Sequence, residues 1–270
     1  MNLWGLPPQA LIREFAANTA MALAVVRRSR LKGMRTRAPS ADFEARKIGA
    51  QFEFLRDSAG DIEGKVVVEI GPGDALGLAP LFIAAGAARY VAVDRFLGDV
   101  WGIGANRIYD EIERLRGPFP TAWRDQVTLV RHSIEKTLVG VPSADIIVSF
   151  DVIEHLLDLP QAVRNMSSLL TRDGRMIHRI DYGPHGVWLS TQDPLSFLSV
   201  PDWLWSAIGS NRGYPNRVRH GQFVQLLEAS GLHIAERVTR RQEMDVMDAE
   251  VACAFKGAPQ LGKPFVQEFA

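Results

Sequence analysis

Three short runs carry most of the side chains with chemical reach. The first is Val68-Glu69-Ile70-Gly71-Pro72-Gly73-Asp74. Gly71 and Gly73 let a backbone approach a ligand closely and turn sharply, as bulkier residues do not. Glu69 stands two residues before the first glycine. Its carboxylate would repel a pyrophosphate and suits a cationic ligand. The run continues Ala75-Leu76-Gly77 and so departs from the G-x-G-x-x-G spacing of dinucleotide binders. The second is Asp94, 21 residues beyond Gly73. There a carboxylate can accept hydrogen bonds from both hydroxyls of a ribose; the plainer role is a helix cap. The third is Asp151-x-x-Glu154-His155. On one helical turn these three share a face, and two carboxylates with an imidazole can bind a hard divalent ion.

These runs need elements that hold them at one place, and the pattern from residue 61 supplies them. KVVVEI (65–70), YVAVD (90–94), VTLVRHS (127–133), ADIIVSF (144–150) and GRMIHRID (174–181) read as strands. The most apolar are of the buried parallel type. Helices are expected near 75–86 and over 108–116, 159–170 and 221–231, with Gly117-Pro118, Asp173-Gly174 and Gly231 as their exits. HIAERVTR (233–240) and EVACAFKG (250–257) read as a terminal hairpin. Strands alternating with helices imply a doubly wound α/β sheet, with ligands past the carboxyl ends of its strands. Residues 184–218 form a long crossover containing Trp188, Phe197, Trp203, Trp205 and Tyr214. Connections of that length are usually functional.

The chain has 270 residues, and at about 150 per domain one large domain with an appendage is expected. Lys and Arg number 31 against 31 Asp and Glu, which argues against a surface built to grip nucleic acid. The balance is uneven: residues 1–60 hold ten basic and five acidic side chains, a net +5, and the remainder is −5. Residues 9–30 read as a helix begun by Pro7-Pro8. Arg27, Arg28, Arg30, Lys32, Arg35 and Arg37 follow without an intervening acid. The segment 9–37 has two readings: a helical cap docked on the main domain, or a helix on an anionic membrane surface. Its apolar run is too short to span a bilayer. A lone Cys253 excludes an internal disulfide and suits a reducing cytoplasm.

EIGPG, VAVD and SFDVIEHL, in that order, resemble the motifs of class I S-adenosylmethionine-dependent methyltransferases, over about residues 61–257. The resemblance implies a Rossmann-like doubly wound sheet of seven strands with a terminal antiparallel hairpin, S-adenosylmethionine as cofactor, and methyl transfer. It divides the chain into an N-terminal helical, basic cap (1–60), the methyltransferase domain (61–257) with an acceptor lid (184–218), and a tail (258–270). Carried over, Glu69 faces the sulfonium and amino-acid end, Gly71 and Gly73 pack on the cofactor, and Asp94 binds its ribose. Ser133 and Ile134 lie beside adenine, with the usual acid shifted to Glu135, and Asp151 borders the methionine portion.

A hydroxyl acceptor needs its proton removed, and histidine is the usual base. Of the five histidines in or beside the strands, His132 and His233 fall away from the acceptor side and His178 lies within a strand. His155 and His185 remain as bases, with Asp151 beside them. The D-x-x-E-H set also resembles metal-dependent O-methyltransferases, so a divalent ion, the less favoured reading, would sit on Asp151, Glu154 and His155, with His185 as fourth ligand. The segments HRIDYGPHG, DPLSFLSVPDWLW and NRGYPNRVRHGQF resemble a bacterial branch tied to surface-glycan and secondary-metabolite biosynthesis. Trp188 and Trp203 then offer faces for a sugar or aromatic acceptor and Arg212 a clamp for a phosphate or carboxylate. The alternative is that the tryptophans plug the lid and the arginines are solvated. The leading expectation is an O-methyltransferase acting on a glycan, glycolipid or metabolite hydroxyl, cytoplasmic or peripheral to the inner membrane face. The alternatives are an N- or C-methyltransferase or a non-catalytic cofactor-binding domain. A nucleic-acid substrate is disfavoured, because no N/D-P-P-Y motif follows the fourth strand.

Overall fold

The structure, a computed structural model, describes residues 3–23, 40–191, 193, 195–241 and 248–256. The basic tract 27–37 and the tail 258–270 lie outside the described residues, as does any continuation to residue 30 of the helix read over 9–30.

Five parallel strands form the centre: β1 Val66–Ile70, β2 Arg89–Val93, β3 Val127–Val130, β4 Ala144–Phe150 and β5 Leu170–Asp181. Their order, β3-β2-β1-β4-β5, reverses direction between β1 and β4. That reversal opens a crevice at the strand carboxyl ends. The backbones of β6 Leu232–Arg241 and β7 Asp248–Lys256 extend the sheet beyond β5, β7 running antiparallel to both β5 and β6.

Alternation along β1 divides the core. Val67 joins one cluster and Val68 and Ile70 the other, so Glu69 points with Val67. The first face is covered by α2 Ala41–Ala59, α3 Leu78–Ala84 and α4 Ile103–Arg116. The second is covered by α5 Leu159–Leu169 and α7 His220–Ala229. Helix α2 starts where the Ser40 side chain accepts the Phe43 amide at 3.0 Å. Its Ala45, Ile48, Phe52, Leu55 and Ala59 follow helical spacing and enter the main core. The division at residue 60 rests on charge, which does not mark the packing boundary: α2 belongs to the body.

The remaining cluster belongs to the lid. Helix α1 Pro8–Ala22 packs on α6 Asp202–Gly209, and Leu6 and Leu11 join Trp188, Phe197, Trp205, Ile208 and Tyr214. The N-terminal helix is therefore a docked cap, and what it caps is the 184–218 crossover. No described helix is long and apolar enough to cross a membrane.

Candidate active site

The glycine loop leaves β1 with Gly71 at φ +72° and Gly73 at φ +77°, conformations that side chains resist. A Cβ on Gly71 would lie 2.4 Å from Val152, so the loops after β1 and β4 touch. Asp94 ties this loop to the next strand: one carboxylate oxygen accepts the Gly73 amide at 3.0 Å and the other the Phe96 amide at 2.6 Å. Glu69 is buried at 2% exposure and accepts the Tyr90 hydroxyl at 2.5 Å. Burial of a carboxylate beside a hydroxyl donor is a matched arrangement.

On the far side of the crevice, β4 ends and Asp151 enters the left-handed region at φ +56°. A single 3-10 turn, Ile153–His155, follows. Asn216 pins that turn from the lid, its side-chain amide donating to Ile153 at 2.9 Å and Leu156 at 3.0 Å. Glu135 pins it from β3, accepting the Leu157 and Asp158 amides at 2.6 and 2.7 Å. Burial raises the Glu135 carboxyl, but Ser133 and these two amides outweigh it and hold it below its ordinary value.

Glu154 thereby points inward at 3% exposure, and neither of its oxygens makes a well-formed hydrogen bond. Its carboxyl is pushed well above the usual range, first by burial and then by the nearby Asp151 charge. His155 is lowered to about 4 by burial and then by His185. Burial thus opposes charge on both neighbours, so the 3.8 Å approach of His155 Nε2 to Glu154 Oε1 is not an ion pair at neutral pH. The His155 and His185 rings lie 5.0 Å apart at 35°. His185 Nε2 is 3.4 Å from Asp181 Oδ2 at the end of β5, and that histidine lowers the Asp181 carboxyl. Both Nδ1 atoms are buried without a hydrogen-bond partner. Ligand atoms of Glu154, His155 and His185 all lie within 4.8 Å of one another.

A crevice of this construction, past a five-stranded parallel sheet, agrees with the comparisons. A family profile described as "Methyltransferase domain" matches residues 41–236. The chain belongs to that family. It is an S-adenosylmethionine-dependent methyltransferase. The sheet superposes on a Listeria monocytogenes protein assigned as an S-adenosylmethionine dependent methyltransferase, with TM-score 0.50 and 13% identity, over 78% of this chain and 99% of that one. It also superposes on a Galdieria sulphuraria protein assigned as a sarcosine dimethylglycine methyltransferase, with TM-score 0.52 and 12% identity, over 79% and 84%. At such identities the likeness is one of fold. No curated protein matches.

In this methyltransferase the expected site residues fall into two groups. Gly71, Gly73 and Asp94 come together past the ends of β1 and β2, Glu154, His155 and His185 cluster past β4 and β5, and Glu69 is buried within β1 against Tyr90. Asp151 departs from its expected role as a ligand on the helical face of Glu154 and His155. The left-handed turn takes it off that face, and Arg179 of β5 grips both its oxygens, one through Nε at 3.0 Å. Ile134 is 2% exposed within the second core cluster, and the Ser133 hydroxyl donates to Glu135 at 2.6 Å. His178 is the packed histidine its strand position predicts, with Nδ1 2.8 Å from Ser149 Oγ.

The three acceptor residues expected in the lid do not reach the crevice. Trp188 is fully buried in the lid's own core, with its ring 5.1 Å from Trp205 and its Nε1 donating to the Trp4 carbonyl at 3.2 Å. Trp203 faces solvent. Arg212 pairs with Glu14 of α1 and meets Tyr214. The plug reading of the lid therefore holds for Trp188. Sequence reasoning overlooked Asp181 and Arg179. Their signal is a charged pair, HRID, at the carboxyl end of an otherwise apolar strand.

Proposed function

We propose that this methyltransferase transfers its methyl group to a hydroxyl oxygen. One observation carries the reading: His185, half-buried, is backed by Asp181 at 3.4 Å just past the carboxyl end of β5. An amine attacks through its own lone pair, whereas a hydroxyl must lose a proton, so a built histidine–carboxylate dyad favours oxygen. Bound S-adenosylmethionine supplies an electrophilic methyl on a sulfonium, and the residues present fit it: a left-handed glycine loop, a ribose-level carboxylate in Asp94, and a carboxylate in Glu69 beneath. His185 takes the acceptor proton, Asp181 orients its ring, and His155 packs against it uncharged near neutral pH. Arg179 holds Asp151 in its strained turn, and Asn216 and Glu135 fix the turn bearing Glu154. Residues 41–236 are the catalytic unit, and α1 with 184–218 is the lid. The antiparallel pairing of β7 with β5 supports the seven-stranded, hairpin-ended form of this sheet. The acceptor class, a glycan, glycolipid or secondary-metabolite intermediate met in the cytoplasm or at the inner membrane face, rests on the lid's resemblance to that bacterial branch.

The test is a screen of soluble and lipid-linked sugar intermediates with cofactor labelled on its methyl. An O-methyl product that disappears in His185→Ala supports the reading. An N- or C-methyl product, or full transfer by His185→Ala, refutes it.

A second reading is favoured by the unmatched Glu154 oxygens. Glu154, His155 and His185, rather than the set containing Asp151, have the donor chemistry for a divalent transition metal, with Asp181 behind His185 as an outer carboxylate. His185 would then be a ligand, not the base. Calorimetry with Mn²⁺ or Zn²⁺ alone separates the two: saturable binding lost in Glu154→Gln supports a metal, and its absence leaves the base.

A further inference from the structure

Two residues in the left-handed region leave neighbouring strands, and only one of them is a glycine. Gly71, at φ +72°, follows β1, and Asp151, at φ +56°, follows β4. Glycine takes that conformation without steric cost, whereas a side chain resists it. Asp151 is held there at both ends by Arg179, which stands opposite Phe150 in the β4–β5 register. The Arg179 carbonyl accepts the Asp151 amide at 3.0 Å, and its guanidinium grips both carboxylate oxygens, one through Nε at 3.0 Å. The guanidinium carbon lies 5.6 Å from the centre of the Phe150 ring, and the pair is largely withdrawn from water, at 23% and 35% exposure. A two-pronged grip of this kind fixes direction as well as distance.

Val152, the next residue, is where the held turn meets the glycine loop. Its γ-methyls stand in the space that a Cβ on Gly71 would need. Its carbonyl accepts the His155 amide at 2.9 Å and so begins the 3-10 turn that carries Glu154 and His155. The glycine loop therefore has two supports. Asp94 accepts the Gly73 amide at 3.0 Å from the β2 side, and Val152 packs on Gly71 from the β4 side. The second support depends on the conformation of Asp151, and that depends on Arg179. A glycine at 151 would permit the turn; an aspartate gripped by Arg179 fixes it, because the carboxylate gives the guanidinium something to hold.

We infer that Arg179 is a positioning residue for S-adenosylmethionine binding: by locking Asp151 in its left-handed turn it seats Val152 against Gly71 and keeps the glycine loop in its binding shape. Arg179 acts through Asp151 and Val152, without touching the cofactor. The inference rests on the proposed placing of the cofactor against the glycine loop, and is indifferent to which atom accepts the methyl.

Calorimetry of S-adenosylmethionine binding to the full chain tests this, with thermal unfolding of each variant to keep the titrations well below its midpoint. Arg179→Ala lowers affinity about tenfold, which is equivalent to about 1.4 kcal/mol and matches the steric cost of a left-handed side chain. Asp151→Ala, at the more exposed end of the pair, lowers it by a similar factor and carries the same test if Arg179→Ala does not fold. The deciding arm is an Asp151→Gly background, since glycine adopts the turn unaided. There Arg179→Ala changes affinity by less than about twofold, because two changes acting through one element do not add. Wild-type affinity in both Arg179→Ala and Asp151→Ala overturns the inference. So does a tenfold loss that persists in the Asp151→Gly background, which would make Arg179 a direct ligand of the cofactor. Asp94→Ala separates the inference from what it rests on. If Asp94→Ala weakens binding while the Arg179 and Asp151 variants do not, the inference fails alone. If Asp94→Ala also leaves affinity intact, the placing of the cofactor on the glycine loop fails and takes the inference with it.

Discussion

The lid and the sheet edge beneath it treat buried charge in opposite ways. In the lid, Glu14 is 3% exposed and meets both Arg212 and Tyr214, and burial together with the Glu14 contact holds the Tyr214 hydroxyl above its ordinary value. Arg217 likewise reaches the Val200 carbonyl and Asp202. At the sheet edge Glu154 is equally buried, yet its oxygens and the Nδ1 atoms of His155 and His185 stay unmatched. An unmatched buried polar group costs roughly 1–3 kcal/mol. A protein that satisfies its charges in one region and tolerates the cost in another is keeping the second for chemistry. On the proposed reading, the Glu14–Arg212–Tyr214 set positions the lid, and Glu154, His155 and His185 are the groups left for reaction.

The comparison is broken most severely by His185→Ala. Turnover should fall roughly 100- to 10,000-fold, the usual worth of a positioned base, while calorimetry finds cofactor affinity unchanged. Equal activity would move the reacting groups elsewhere. Next is Asp94→Ala, which removes the acceptor of the Gly73 and Phe96 amides as well as the ribose-level carboxylate. S-adenosylmethionine affinity should drop about 30-fold or more, in line with two lost charge-assisted hydrogen bonds. Intact affinity would detach the cofactor from this loop.

Thermal unfolding then compares the two buried glutamates directly. Glu14→Ala strands Arg212 and Tyr214 and should cost about 3 kcal/mol, as breaking a buried pair does. Glu154→Gln removes no matched partner and should cost under about 1 kcal/mol or stabilise. A larger loss from Glu154→Gln than from Glu14→Ala would invert the assignment of structure to the lid and chemistry to the edge.

Legibility in the sequence follows the range of the interactions. The five central strands stand out because a strand buried on both faces is a continuous apolar run, and KVVVEI and ADIIVSF need no partner to be recognised. Helix α2 carries an equally clear stripe at 45, 48, 52, 55 and 59, but a charge total over residues 1–60 groups it with the basic 27–37 tract although its own stretch holds three basic and four acidic side chains. Glu154, His155 and His185 can be gathered from strand-end positions alone. Asp151 is misplaced because a left-handed turn leaves no mark on an Asp, a residue that also suits a helix start. Arg212 and Trp188 are misread for a stronger reason. Their partners are Glu14 and Trp4, 198 and 184 residues away, and a contact across such a separation has no local pattern.

The smallest effect concerns the histidine that does no chemistry. His178 is fully buried against Ser149 and is lowered to about 4 by burial alone, from an ordinary 6.5. Between those values the unfolded chain binds the proton and the folded chain does not, so stability rises with pH across that window and levels off above it. Lowering pH from 7 to 5.5 should then cost about 1 kcal/mol from this residue. Denaturant midpoints across that range measure the slope, and His178→Gln, which keeps a polar group facing Ser149 but cannot titrate, should reduce it. His155, also lowered to about 4 but partly exposed in the crevice, gives a smaller contribution in the same direction. The two separate through cofactor binding. Its pH dependence below 6 should survive in His178→Gln, because that ring lies inside the sheet. It should change in His155→Gln, whose ring packs on His185. If both variants shift it alike, the packed histidine and the site histidine are coupled, and the division between positioning and reacting groups runs through the sheet instead of along its edge.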